Sequence, residues 1–297
     1  MRIGAFELDE PLPELKDPHV LAMLDPWIDV GSVGTLTLAW LEKHFDAQDV
    51  GRISRPGNFF DFTRYRPTIY YDEDDKRQIA VPNTYMTWGR GKDNDFIFLH
   101  LLEPHNHSDL YIESMVRVLV KLGVKRYCLL GSMYDYVPHT MPLVVTGGAS
   151  GAGAASELAG LGIEPGKYEG PTTITTLISQ KAPQLGMETM SLIVHIPQYT
   201  QLDEDYAGAT RLMEMVSSIY GIPVDKEYYG KAQEQADDLT QALSKNPQLK
   251  DLIKEMEAEY GHQPRRKAER QPPLSPEIER FLSEMENRFR EGPDKGP

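Results

Sequence analysis

The chain contains a single cysteine, Cys128, so no intramolecular disulfide can form. It lies in the apolar run Arg126-Tyr127-Cys128-Leu129-Leu130, where a buried and inert thiol is expected. A nucleophilic role would need a base and an electropositive niche that the sequence does not show. Long apolar runs are missing as well. No window approaches the roughly 20 apolar residues of a membrane span, and the start, Met1-Arg2-Ile3-Gly4-Ala5-Phe6-Glu7, has no apolar stretch of signal-peptide length. A cytoplasmic protein with no membrane partner is expected. Positive charge is in short supply: 31 Lys and Arg stand against 45 Asp and Glu, for a net charge of −14. Phosphate backbones reward clustered Lys and Arg, so nucleic acid is not an expected partner. The acidity reads as a solvated surface.

Catalytic signatures are also lacking. Gly166-Lys167 is not a phosphate-binding P-loop, because Leu161 stands where its first glycine belongs and Tyr168 replaces the magnesium-binding Ser or Thr. There is no Gly-x-Ser-x-Gly elbow, and Asp135, His139 and the serines form no nucleophile arrangement along the chain. Triads assembled in space need no such adjacency, so hydrolysis is neither indicated nor excluded. His105 and His107, with Glu103 and His100 nearby, form the single cluster with metal-like chemistry. Pro104 marks that stretch as a strand-end loop, where polar residues are expected anyway, and no metal is assigned. The stretch from Thr146 through Gly147, Gly151 and Gly153 follows an apolar strand and precedes a helix, as a dinucleotide fingerprint does. Ser156 stands where the third small residue belongs, so a flexible loop or an anion-binding helix start is the better reading. No catalytic residue and no cofactor is assigned.

What the chain has is bulk: 297 residues with 40% hydrophobic content allow one large core, or a core with a small appendage. Residues 20–24 read as a buried strand, and Gly31-Ser32-Val33-Gly34 opens a helix whose apolar face is Leu36, Ala39, Trp40 and Leu41. Residues 68–71 and 78–81, joined by an acidic turn at 72–75, read as a β-hairpin. Strands are expected at 95–101, 124–130, 143–145 and 191–196. Between them come helices at 108–122, with Ile112, Met115, Val116 and Leu119 on one stripe, and at 175–185. Gly123 is a fitting stop for the first. Alternating strands and helices imply crossover units and a mostly parallel sheet covered on both faces.

From about Asp203 the pattern is helical, with helices over 206–220, 226–243 and 247–260. The chain divides into an α/β core domain over 1–222, a helical segment over 223–261 packed on it, and a Pro-rich, charged linker with a tail helix over 262–297. In that tail, Ser275 suits the N-cap, and Ile278, Phe281, Leu282, Met285 and Phe289 share one face. So short a helix is marginal alone in water, and a docking site on this chain or a partner is expected for it.

Several segments together resemble the proteasome assembly chaperone 2 family, in its prokaryotic, actinobacterial-like branch. They are Trp27-Ile28-Asp29-Val30-Gly31 before a helix; Asp95 to His100 with Glu103-Pro104; Val137-Pro138-His139-Thr140 continuing to Thr146-Gly147; Tyr168-Glu169-Gly170-Pro171; and Ile196-Pro197-Gln198-Tyr199. The resemblance covers roughly residues 20–245. It implies a phosphorylase-like, three-layer α/β/α sandwich with C-terminal helices, and a homo-oligomer, a trimer or tetramer. In eukaryotes the family helps the proteasome α-ring assemble, and archaeal members contact the core particle through a C-terminal hydrophobic-Tyr-any residue motif. This chain ends Gly292-Pro293-Asp294-Lys295-Gly296-Pro297, so the resemblance does not extend to that motif. The leading expectation is a non-enzymatic, oligomeric, assembly-chaperone-like protein that binds itself and a further protein. A second is a nucleotide- or nucleoside-binding protein or enzyme using strand-end loops at Gly31, Gly34, Glu103, His139, Gly147, Gly151 and Gly153. A third is a homo-oligomeric scaffold clasped by the tail helix.

Overall fold

The computed structural model describes residues 1–166, 168–244 and 246–260. Two short strands, β1 (Arg2–Ile3) and β2 (Phe6–Leu8), precede β3 (His19–Asp25), α1 (Val33–His44) and β4 (Gln48–Ile53). A hairpin, β5 (Thr68–Tyr71) and β6 (Arg77–Ala80), is followed by β7 (Tyr85–Gly89), β8 (Phe96–Leu102) and α2 (Ser108–Lys121). Then come β9 (Arg126–Asp135), β10 (Val145–Ser150), α3 (Ala152–Gly160), β11 (Glu164–Pro165), α4 (Ile174–Lys181) and β12 (Glu188–Pro197). Helices α5 (Tyr206–Tyr220), α6 (Lys226–Leu243) and α7 (Pro247–Tyr260) complete the described chain. The expected tail helix of Ile278, Phe281, Leu282, Met285 and Phe289 lies outside the described residues.

The main sheet has the order β1-β2-β4-β7-β8-β3-β9-β12-β10-β11. Its centre, β8-β3-β9-β12, is parallel. Alternate residues of β3 explain why both faces are covered. Val20, Ala22 and Leu24 join a core with Ile112, Met115 and Leu119 of α2 and Ile174 and Ile178 of α4. Leu21 and Met23 join the opposite core with Leu38 and Leu41 of α1 and Leu212 and Val216 of α5. This is an α/β architecture with helices on both sides of one large sheet. A third, smaller cluster links Leu239 and Leu243 of α6 and Leu249, Ile253 and Met256 of α7 to Tyr199 and Leu202.

The sheet is mixed, and not mostly parallel as the periodicity suggested. Antiparallel pairing joins β1 to β2, β2 to β4, β4 to β7, β7 to β8 and β12 to β10. Between β7 and β8 only residues 90–95 intervene, too few for a parallel crossover, which takes a dozen or more. The expected strand at 143–145 is displaced to Val145–Ser150, so the first part of the glycine-rich stretch is strand, not loop, while Gly151 and Gly153 stand at the start of α3. A side chain at Gly147 would put its Cβ 2.2 Å from the Ser191 carbonyl oxygen, so glycine there lets β10 lie close on β12. In α1 the buried face is Val33, Thr37, Leu38, Trp40 and Leu41, with Ala39 exposed, because the helix packs on β3 and α5 together. The helix α2 ends where expected, with Gly123 at φ 72.

At the starting edge of the parallel strands, Arg126 is buried between two carboxylates, donating to Glu157 and Glu188 at 2.6 Å each. His19 lies beside it, 3.2 Å from the Tyr220 hydroxyl. Burial, with help from the Arg126 charge, pushes His19 down from 6.5 to about 4. A histidine held neutral in the folded state takes its proton first in the unfolded state, so its contribution to stability is lost as pH falls from about 6.5 towards 4. Urea denaturation across this window should show His19→Gln losing less stability than the unaltered chain. Parallel losses would show that His19 is not held neutral.

Candidate functional site

Strands β3, β8, β9 and β12 end at one edge, and open α/β sheets bind ligands at such an edge. Residues 27–31, 103–104, 137–140 and 196–199 from the segments behind the family resemblance lie at or just after those strand ends, whereas Asp95 precedes β8 at the opposite edge. Helix starts pointing the same way would offer free N–H groups and a positive dipole end to an anion. Here the protein fills them itself. Asp29 accepts at 2.6 Å from the Gly34 N–H and at 3.2 Å from the Thr35 N–H at the start of α1, while the Thr35 hydroxyl donates at 2.6 Å. Both oxygens of Glu103 accept from the Ile174 N–H at 3.1 Å, capping α4. Asp205 caps α5, accepting from the Gly208 N–H at 2.7 Å. Burial pushes all three carboxyls up, and the helix N–H groups pull them back. The helix α2 is different: His107 at its N-cap makes no capping bond.

The same logic explains two glycines singled out in the sequence. Gly31 has φ 61, and a Cβ there would lie 2.7 Å from that of Asp205. At Gly34 a Cβ would lie 2.9 Å from the Asp29 carboxylate. These glycines let capping carboxylates approach the backbone. Gly151 and Gly153 stand at the opposite edge, because β10 runs antiparallel and Ser150 pairs with Thr189 near the start of β12. There Glu188 accepts from the Gly153 N–H at 2.9 Å and the Ala154 N–H at 3.3 Å. The expected anion-binding helix start is thus occupied by an internal carboxylate, which Arg126 holds. Gly147 lies within β10, between the two edges.

His139 sits under α6, with its ring and its N–H each 2.7 Å from the Tyr199 hydroxyl and its other nitrogen 3.3 Å from the Thr240 hydroxyl. The cavity beside it, lined by Leu143, Pro197, Thr200, Leu202 and Asp205, measures about 30 Å³. That is room for about one water, whereas small-molecule pockets run to roughly 300–1,000 Å³. A wide cleft of about 500 Å³ lies elsewhere, against Phe60, Asp61, Arg64, His105 and Asn106. His105 accepts there from the Asp61 N–H at 3.2 Å, whereas the His107 ring meets Phe59 edge-on. The two imidazoles are engaged separately. Among the described residues no group of three or more His, Cys, Asp or Glu is placed to hold a metal. Cys128 is buried, and burial raises its thiol to about 12.

The strand ends also assemble a constellation that sequence reasoning missed. His195 of β12 lies 2.7 Å from the Asp135 carboxylate at the end of β9 and 2.8 Å from the Thr146 hydroxyl of β10. Asp135 and Thr146 were visible as residues, but their separation from His195 along the chain hides the arrangement. Only the pairing of β10 and β9 on either side of β12 creates it.

A second feature lies outside the main sheet. The hairpin β5–β6 pairs Ile69 with Ile79 and Tyr71 with Arg77 on one face. Ile69 is 52% exposed, Tyr71 65% and Ile79 63%, with Val81 next in the alternation at 46%. Isolated two-stranded hairpins are marginal in water, and an apolar face of this kind marks an interaction site.

The model of the PAC2 family matches residues 23–246. No curated protein matches the chain. A PAC2 family protein from Streptomyces avermitilis is similar in structure, with a TM-score of 0.71 and 22% identity over 80% of this chain and 100% of that one. A Mycobacterium tuberculosis protein of unknown function gives 0.76 and 22% over 88% of this chain and 90% of its own. A proteasome-assembly chaperone homologue from the same organism gives 0.69 and 21% over 79% and 99%. No helix among the described residues is long and apolar enough to cross a membrane.

With the starts of α1, α3, α4 and α5 occupied from within, millimolar inorganic phosphate, AMP or adenosine should leave the melting temperature unchanged. A ligand at a hundredfold its Kd stabilises by about 2.7 kcal/mol. A saturable upward shift would reveal an anion site that the carboxylates do not close.

Proposed function

We propose that this chain, which belongs to the PAC2 family, is an oligomeric protein-binding protein with an assembly-chaperone-like role in the cytoplasm. The observation that carries the reading is the hairpin β5–β6, whose apolar face of Ile69, Tyr71 and Ile79 is more than half exposed among the described residues. Burial of such a face against a second copy offsets the marginal stability of a two-stranded sheet. Its turn, Asp72 to Asp75, is followed at once by Lys76 and Arg77. Both signs of charge are therefore present for a self-complementary contact. Such a contact joins copies in pairs, and a tetramer, a pair of pairs, leaves other surface for a further protein. The similarity to a proteasome-assembly chaperone homologue supports the same class of work. The filled helix starts weigh against the nucleotide-binding alternative. A phosphorylase-like form of the sandwich, and a division into the core over 1–222, the helical segment over 223–261 and the tail over 262–297, belong to this reading.

Sedimentation of the full chain at micromolar concentration tests it. The unaltered protein should sediment as an oligomer, and Ile69→Ser with Ile79→Ser should lower its mass while leaving the far-ultraviolet circular dichroism of a folded chain in place. An unaltered chain that sediments as a monomer would overturn the self-association. An oligomer indifferent to the double substitution would remove the hairpin from the contact.

A further inference from the structure

We propose that Thr146, His195 and Asp135 form a working hydroxyl–imidazole–carboxylate relay at the strand ends, able to accept an acyl group from an ester or thioester. This capacity goes beyond the protein-binding role and does not depend on it. The geometry has the three parts such chemistry needs. Asp135 accepts from the Nδ1–H of His195 at 2.7 Å, which fixes the tautomer and leaves Nε2 as an acceptor. Nε2 faces the Thr146 hydroxyl at 2.8 Å, the distance of a nucleophile from its base. Thr146 is 9% exposed, the imidazole side chain 12% and the carboxylate 37%, so the hydroxyl end of the relay is sheltered and the carboxylate end meets solvent.

His139 and His100 lack this arrangement. His139 has hydroxyls on both nitrogens, and His100 pairs through Nε2 with Glu42. A merely structural tie has little to add at this place, because β10 and β12 are already held by a continuous ladder from Val145–Val194 to Ser150–Thr189. Gly166, which carries no side chain, is the neighbour of the hydroxyl: an added Cβ there would already be in van der Waals contact with Thr146 Oγ1, at 3.8 Å. The site also lies where β12 meets a parallel neighbour on one side and an antiparallel one on the other, at the edge that open α/β sheets use for ligands.

In the step, Thr146 Oγ1 bonds to the acyl carbon, its proton passes to His195 Nε2, and the bond from that carbon to the alcohol or thiol breaks. The proton then leaves with the departing oxygen or sulfur. Water, deprotonated by the same imidazole, releases the acid and regenerates the hydroxyl. Thr146 and His195 are the catalytic residues, and Asp135 is a positioning residue.

The probe is p-nitrophenyl acetate, with the full-length chain and peptide mass mapping of the acetyl group. One acetyl on Thr146 is expected, retained by Thr146→Ser at position 146 and absent from Thr146→Val. In His195→Gln the rate at this position should fall at least about a hundredfold, the usual contribution of a positioned base. If that variant fails to fold, Asp135→Asn at the solvent-facing end should slow acetylation without a loss of melting temperature. Acetyl groups found only on lysines, or a rate at Thr146 that His195→Gln and Asp135→Asn leave unchanged, would overturn the proposal.

Discussion

The structure turns on how its helix starts are satisfied. Helices on both sides of the sheet start with N–H groups that have no partner within the helix, and a buried start left unpaired destabilises the fold. Asp29, Glu103, Glu188 and Asp205 meet that need for α1, α4, α3 and α5. Asp29 and Asp205 are local to their helices, whereas Glu103 and Glu188 come from distant strands, so those two caps also join separate pieces of chain. Gly31, Gly34, Gly151 and Gly153 are small where these carboxylates come close. Helix starts that in other proteins would cradle a phosphate are here filled by the protein's own carboxylates.

With those helix starts filled, the remaining features divide between surface and chemistry. The hairpin β5–β6 stands apart from the main sheet and carries an apolar face fully outside either large core. This is the character of a protein contact. The relay of Asp135, His195 and Thr146 is the opposite kind of feature, polar, partly sheltered and tied to the centre of the sheet. The two occupy different elements, so binding at one does not require the other to move.

Much of this was legible from the sequence where local periodicity decides the outcome. The helices α2, α5, α6 and α7 and the hairpin appear at or within a few residues of the expected places, because an apolar stripe or an alternation bounded by turn residues is a local signal. The edge strands were not legible. Gln48–Ile53 carries two apolar residues, Val50 and Ile53, and β1 and β2 are too short to show a period. Mixed sheet order also stayed hidden, since β12 enters between β9 and β10 only after both have formed in the chain. The glycines of β10 looked like a loop because the sequence does not reveal that another strand's backbone lies against them. His195 was visible as a strand residue, but its partners are 60 and 49 positions away. Likewise Glu188 gives no sign in sequence that it caps a helix at Gly153.

The central claim is that this protein works by binding protein. Native mass spectrometry of the full chain, purified gently from its own host, tests it most directly. The account predicts masses of a homo-oligomer, alone or with another protein attached. A monomer carrying a bound nucleotide or nucleoside would contradict it.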